Sequence, residues 1–171
     1  GKLHGHHEEK EGLVLALIPP TYNNLGNPPN FDTCTRDTYD ENTFFILSHI
    51  IRIANEIASA SAHLHSRKIM HGDLYSHNIL INKNGHSLLG DFGAATLYEN
   101  IDDIESESFE RLEVRAFGCL LEDMLDRCKP EDLSAHKGIA EALSELKQLC
   151  MNEKVSKRPL FRDISKLLLK I

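Results

Sequence analysis

Three oxygen-bearing side chains lie close together near the middle of the sequence: Asp73, Asn78 five residues on, and Asp91 thirteen beyond that. They stand in His71-Gly72-Asp73-Leu74-Tyr75-Ser76-His77-Asn78 and in Asp91-Phe92-Gly93. Carboxylate and amide oxygens are the ligands a hard divalent cation accepts. A carboxylate near a hydroxyl can also take its proton. Taken singly, an Asp after Gly, as in Gly72-Asp73 and Gly90-Asp91, is a turn residue. Taken together, the three are candidates for metal and base chemistry.

The elements that must position them follow from periodicity. Leu13-Val14-Leu15-Ala16-Leu17-Ile18, stopped by Pro19-Pro20, has the length of a buried strand, and residues 1–20 are expected to hold two strands. Residues 21–41 are rich in Asn, Pro, Gly and Thr and predict a loop, with a short helix a candidate near Cys34–Tyr39. Residues 42–66 carry a helical stripe of Ile46, Ile50, Ala54, Ile57 and Leu64, widened by Leu47, Ile51 and Ala58. Residues 79–89 predict a hairpin turning at Asn84-Gly85, both of which tolerate positive φ. The acidic run over 99–110 predicts a solvated loop. Helices are expected over 111–127 and 137–150, with a last one starting at Pro159 and burying Ile164, Leu167, Leu168 and Ile171. The fold class is α+β with a mostly helical body.

Composition narrows the function. The chain has 171 residues and a net charge of −7, which opposes general nucleic-acid binding. No apolar run reaches the roughly 20 residues of a membrane span. Cys34, Cys119, Cys128 and Cys150 form no CxxC and suit reduced thiols in the cytoplasm. His4, His6 and His7 read as a solvated hairpin loop rather than a metal site.

The central motifs resemble the catalytic loop and magnesium-binding motif of eukaryotic-type protein kinases, H-x-D-x-x-x-x-N, a hairpin, then D-F-G. The flanks match as well: Ile57-Ala58 through His63-Leu64-His65-Ser66, then Glu113-Val114-Arg115-Ala116-Phe117-Gly118, and Arg158-Pro159-Leu160-Phe161. The resemblance spans nearly the whole chain. It implies a protein-kinase-like fold, with residues 1–20 as the last small-lobe strands and hinge and 21–171 as the large lobe. It implies ATP and Mg²⁺ as cofactors, Asp73 as the base, and Asn78 and Asp91 as metal ligands. It also implies adenine contacts from the Ala16 carbonyl and the Ile18 amide, with Leu80 beneath the ring. His71 and Phe92 would stack in the column coupling the lobes, and Glu113 would brace the catalytic loop or merely cap its helix near Arg111.

The sequence departs from the family in four places. It shows no glycine-rich loop and no V-A-I-K-type lysine, so the chain is expected to be part of a longer kinase or a remnant. Gly72 replaces the catalytic-loop Arg that pairs with a phosphorylated activation loop, so such a switch is not needed. The segment from Gly93 to Glu113 lacks Ala-Pro-Glu, leaving Glu107 or Glu110 as candidate partners of Arg158, and the helix that docks protein substrates looks reduced. Tyr75 replaces a common lysine. The resemblance implies phosphoryl transfer to a protein substrate. A small-molecule kinase of the aminoglycoside-phosphotransferase type and an inactive pseudokinase are the alternatives. The partners are a protein or small-molecule hydroxyl substrate, with no nucleic acid or membrane. The exposed inter-lobe face would be covered by self-association or by a small-lobe segment.

Overall fold

The computed structural model describes residues 17–99 and 102–171. Nearly all of the expected strand region 1–20, including Ala16, lies outside the described residues. Leu17 and Ile18, expected to end a buried strand, lie outside the strands assigned among the described residues and are exposed at 95% and 45%. The elements are β1 (Asn23–Asn24), α1 (Leu47–His65), β2 (Ile69–Met70), β3 (Ile79–Ile81), β4 (Ser87–Leu89) and β5 (Thr96–Leu97), then α2 (Asp103–Asp126), α3 (Pro130–Ala135), α4 (Lys137–Cys150) and α5 (Phe161–Leu168). Strands β1, β3 and β4 form one antiparallel sheet, and β2 pairs with β5. This is the expected α+β class with a helical body.

Helix α1 buries Leu47, Ile50, Ile53, Ala54, Ile57, Ala58, Ser61 and His65, a face at i, i+3, i+4 and i+7 spacing. It begins five residues later than periodicity suggests. Ile46 is extended and 38% exposed, and the Leu47 N–H donates to the Asp132 carboxylate at 2.6 Å. That cap comes from a residue 85 positions away, so no local signal marks it. Helices α1, α2, α4 and α5 meet in one core, where the rings of Phe117 and Phe161 pack edge to face at 5.7 Å.

Four further expectations are corrected. Residues 34–39 form turns and a bridge, not a helix. Asn23–Asn24 form a strand despite poor β propensity, because β3 presents a ladder to pair with and buried Leu25 extends it through Ile79. The acidic stretch is mostly helix: the Asp102 carboxylate caps α2 by accepting from the Glu105 N–H at 2.8 Å, and Asp103 and Glu105 sit at the positive end of its dipole. The last helix starts at Phe161, two residues after Pro159, and leaves Leu167 38% exposed.

The hairpin forms as expected, with Ile79 opposite Leu89 and Ile81 opposite Ser87. Only Gly85 turns at positive φ (+77°); Asn82 supplies the rest of the turn by accepting from the Asn84 and His86 N–H groups. Among the described residues, no helix is long and apolar enough to cross a membrane.

Candidate active site

The hairpin register assembles the site. Because Ile79 faces Leu89, the flanking residues Asn78 and Gly90 also face each other, and the Gly90 N–H donates to the Asn78 carbonyl at 2.8 Å. The Gly90 carbonyl accepts from His71 Nε2–H at 2.8 Å. Gly90, the residue just before Asp91, is thereby tied to both ends of the loop that carries Asp73. Within that loop the Asn78 side-chain amide donates to Asp73 Oδ2 at 2.8 Å and to the Asp73 carbonyl at 3.0 Å. Asp73 and Asn78 are thus in direct contact, and Asp91 follows the residue bonded to the loop that carries them.

The burial of the three differs. Asn78 is buried, the Asp73 side chain is 38% exposed, and Asp91 is exposed. Asp91 has φ +50°, an uncommon left-handed conformation for a residue other than Gly. Its carboxylate accepts from the Gly93 N–H at 3.1 Å, which fixes the turn after it. His71 is fully buried, and its ring meets Phe92 edge to face at 4.9 Å, so the two aromatics do pack together. Phe92 keeps 45% of its surface exposed. Leu80 in β3 is half-buried, while Ile18 lies in the exposed segment before the sheet.

Glu113 resolves in favour of bracing. Its carboxylate is buried and accepts from the Gly72 N–H at 2.7 Å and the His71 N–H at 3.3 Å. It also receives His65 Nε2–H at 2.7 Å. Gly72 has φ +81°, and a Cβ there would lie 2.5 Å from the Ala94 carbonyl oxygen. The segment after Gly93 therefore occupies the space into which the family's Arg would project.

Two braces escape sequence reasoning. Asp37, in the loop before α1, accepts from Ser76 Oγ at 2.5 Å, from the His77 N–H at 3.0 Å and from His77 Nδ1–H at 2.9 Å. This holds the far half of the catalytic loop and aims His77 Nε2 toward Asp73 Oδ2, 3.8 Å away. Tyr75 stacks on the His77 ring at 5.8 Å. Arg36 anchors the same loop to α2 through Glu122 (2.8 Å) and Asp123 (2.5 Å). Burial alone lowers the Arg36 pKa, but these carboxylates outweigh burial, raise it above the usual arginine range and keep the cation secure. The sequence holds no mark of either brace, since the partners lie roughly 40 to 90 positions apart.

Arg158 differs from expectation. Neither Glu107 nor Glu110 meets it. Its guanidinium donates to the carbonyls of Asn152 (2.8 Å) and Arg111 (3.0 Å), and burial holds its pKa below the usual arginine range. Glu107 pairs with Arg111 and Arg162, and Glu110 accepts from the Phe161 N–H. Backbone carbonyls take the place of the carboxylate here because α2 starts two turns early and runs past Arg158.

Comparisons with known proteins show which family this fold and site belong to. Residues 29–113 match the protein kinase domain model. The chain is 29% identical over 153 residues to the probable serine/threonine-protein kinase kinX of Dictyostelium discoideum, covering 70% of this chain and 14% of that protein. It is 52% identical over 44 residues to the serine/threonine-protein kinase AtPK1/AtPK6 of Arabidopsis thaliana, covering 26% of this chain and 10% of that protein. It is 46% identical over 52 residues to the eIF-2-alpha kinase GCN2 of Schizosaccharomyces pombe, covering 30% of this chain and 3% of that protein. The chain belongs to the eukaryotic-type protein kinase family. It spans 14% and 17% of the length of the first two curated relatives it matches.

Proposed function

We propose that this chain is the large lobe of a protein kinase that transfers the γ-phosphoryl group of ATP to a Ser or Thr hydroxyl of a protein. Residues 1–20 are read as the last small-lobe strands and hinge, and residues 21–171 as the lobe itself. The observation that carries the reading is Gly90, bonded at one end to Asn78 and at the other to His71. It sets Asp91 beside the loop bearing Asp73 and Asn78. The relatives, named as serine/threonine kinases, support a protein hydroxyl over a small molecule as acceptor.

The donor set fits Mg²⁺. Asp91 and Asn78 offer a carboxylate and an amide oxygen, the hard donors that Mg²⁺ accepts beside substrate phosphates. Asp91 and the Asn78 amide oxygen would hold the ion, with Asn78's NH₂ already used on Asp73. When bound, the ion neutralises charge on the phosphates. Asp73, partly exposed and oriented by Asn78, accepts the proton of the attacking hydroxyl. Ile18 and Leu80, with Ala16 outside the described residues, are the proposed adenine contacts. The four free cysteines support a reducing, cytoplasmic setting.

The test uses the full-length protein. Asp91→Ala should abolish saturable binding of Mg·ATP in calorimetry. Asp73→Asn should retain that binding and lower transfer to protein by about 10²–10⁴-fold. Wild-type transfer by Asp73→Asn, or unchanged Mg·ATP affinity in Asp91→Ala, would refute the assignment.

A further inference from the structure

The segment after Asp91 is held down at one side chain. Of residues 91–99, Tyr98 alone is buried, at 7% exposure. Its ring stacks on Phe109 of α2 at 5.8 Å, and its N–H donates to the Lys68 carbonyl at 2.9 Å. Just before it, β5 pairs with β2, the strand leading into His71.

The Tyr98 hydroxyl reaches further than packing requires. It lies 2.6 Å from His65 Nδ1, while His65 Nε2 lies 2.7 Å from Glu113 Oε2. Glu113 in turn receives the His71 and Gly72 N–H groups. A continuous line of hydrogen bonds thus joins the activation segment to the backbone of the catalytic loop. The Glu113 carboxylate can only accept, so His65 donates Nε2–H to it. A neutral imidazole then leaves Nδ1 as acceptor, and the Tyr98 O–H is the proton that fills it. Burial, followed by the nearby charges of Glu110 and Glu113, pushes the Tyr98 pKa up to about 12, which keeps the hydroxyl a donor.

We infer that Tyr98 is a positioning residue that latches the activation segment to the catalytic loop, doing without phosphorylation what an Arg at position 72 does elsewhere in the family. The inference rests on the kinase reading given above. The physical reason is ring orientation: Glu113 holds His65 at Nε2, and Tyr98 holds it at Nδ1. Without the Tyr98 hydroxyl, His65 Nδ1 loses its partner, and the ring is held only by Nε2–H on Glu113 and by stacking on Phe161. The Glu113 carboxylate is then steadied less firmly against the two catalytic-loop N–H groups. Gly72 itself offers no side-chain alternative, because Ala94 covers its α-carbon.

The experiment compares wild type with Tyr98→Phe and Phe109→Leu in the full-length protein. Amide hydrogen exchange at His71 and Gly72 is read beside kcat and KM with Mg·ATP and a generic serine/threonine peptide pool. Tyr98→Phe should speed exchange at both amides about fivefold, the worth of one hydrogen bond, while α4 exchanges unchanged. It should lower kcat by a similar factor and leave the KM for ATP within about twofold. Phe109→Leu, which keeps the hydroxyl but removes the stacked ring, should leave catalytic-loop exchange at the wild-type rate. Unchanged exchange in Tyr98→Phe, or equal effects of the two variants, overturns the latch. A wild-type protein with no phosphoryl transfer would overturn the kinase reading instead, with the exchange measurements still deciding the latch.

Discussion

Gly72→Ala is the most informative single change outside the reacting groups, because a single methyl tests why the catalytic-loop Arg is missing. Two costs combine. Gly72 sits at φ +81°, and an L-residue in left-handed backbone costs about 1–2 kcal/mol. The added Cβ also meets the Ala94 carbonyl oxygen at 2.5 Å, about 0.9 Å inside the 3.4 Å where ordinary contact begins. The obstacle is backbone rather than a flexible side-chain tip, so relief requires moving the activation segment, an overpacking cost of about 1–3 kcal/mol. Together these give about 2–5 kcal/mol, a large share of the roughly 5–15 kcal/mol that holds a domain folded. At about 2–4 °C per kcal/mol for a chain of this size, Tm should fall by roughly 4–20 °C. The assay is thermal unfolding by circular dichroism, with Gly90→Ala as control. Gly90 has no positive φ, and its added Cβ would meet only the Asn78 carbonyl oxygen at 3.5 Å, so its Tm should hold or rise slightly. A Tm for Gly72→Ala within about 1 °C of wild type would refute both the strain and the close approach of Ala94. Gly72→Arg should be at least as damaging, so the family's phosphate-binding Arg cannot simply be restored here.

Other expectations concern groups away from the reacting atoms. With iodoacetamide at pH 8 and peptide mass spectrometry, exposed Cys34 should label in the native protein. Buried Cys150 should not label before unfolding, because burial pushes its thiol up to about 12 and leaves roughly one thiolate in ten thousand; native Cys150 labelling as fast as Cys34 would contradict this. Glu56 clamps the hairpin to α1 by accepting from His86 Nδ1–H at 2.9 Å and from the Ser87 N–H and Oγ. Burial alone raises its pKa, but these bonds outweigh burial and hold it below the usual 4.5. Its contribution is therefore full above the unfolded value and lost as pH falls through the folded one. The Tm gap between wild type and Glu56→Gln should be widest near neutrality and shrink below pH 4.5, and a gap constant down to pH 3 would count against the clamp.

The local sequence already contained the reacting groups and the reason they meet. Asp73 and Asn78 are five residues apart on one loop, and a hairpin with a legible turn returns the chain to Asp91. Spacing of this kind is set by short-range backbone geometry, so it survives in one dimension. The stripe on α1 was legible for the same reason, although Ile53, Ser61 and His65 joined it unannounced. What spacing cannot carry is which distant group supplies a cap or a brace. The start of α1 waited on Asp132, the acidic run became helix once Asp102 capped it, and Arg158 found carbonyls instead of a glutamate. Asp37 under the catalytic loop, and Tyr98 through His65, were invisible until folding brought them together across 40 and 33 positions. A lone buried hydrogen bond leaves no periodicity behind. The residue types and their order determined which chemistry this chain carries, whereas only the packing of α1, α2 and the activation segment decided how rigidly, and by which side chains, that chemistry is held.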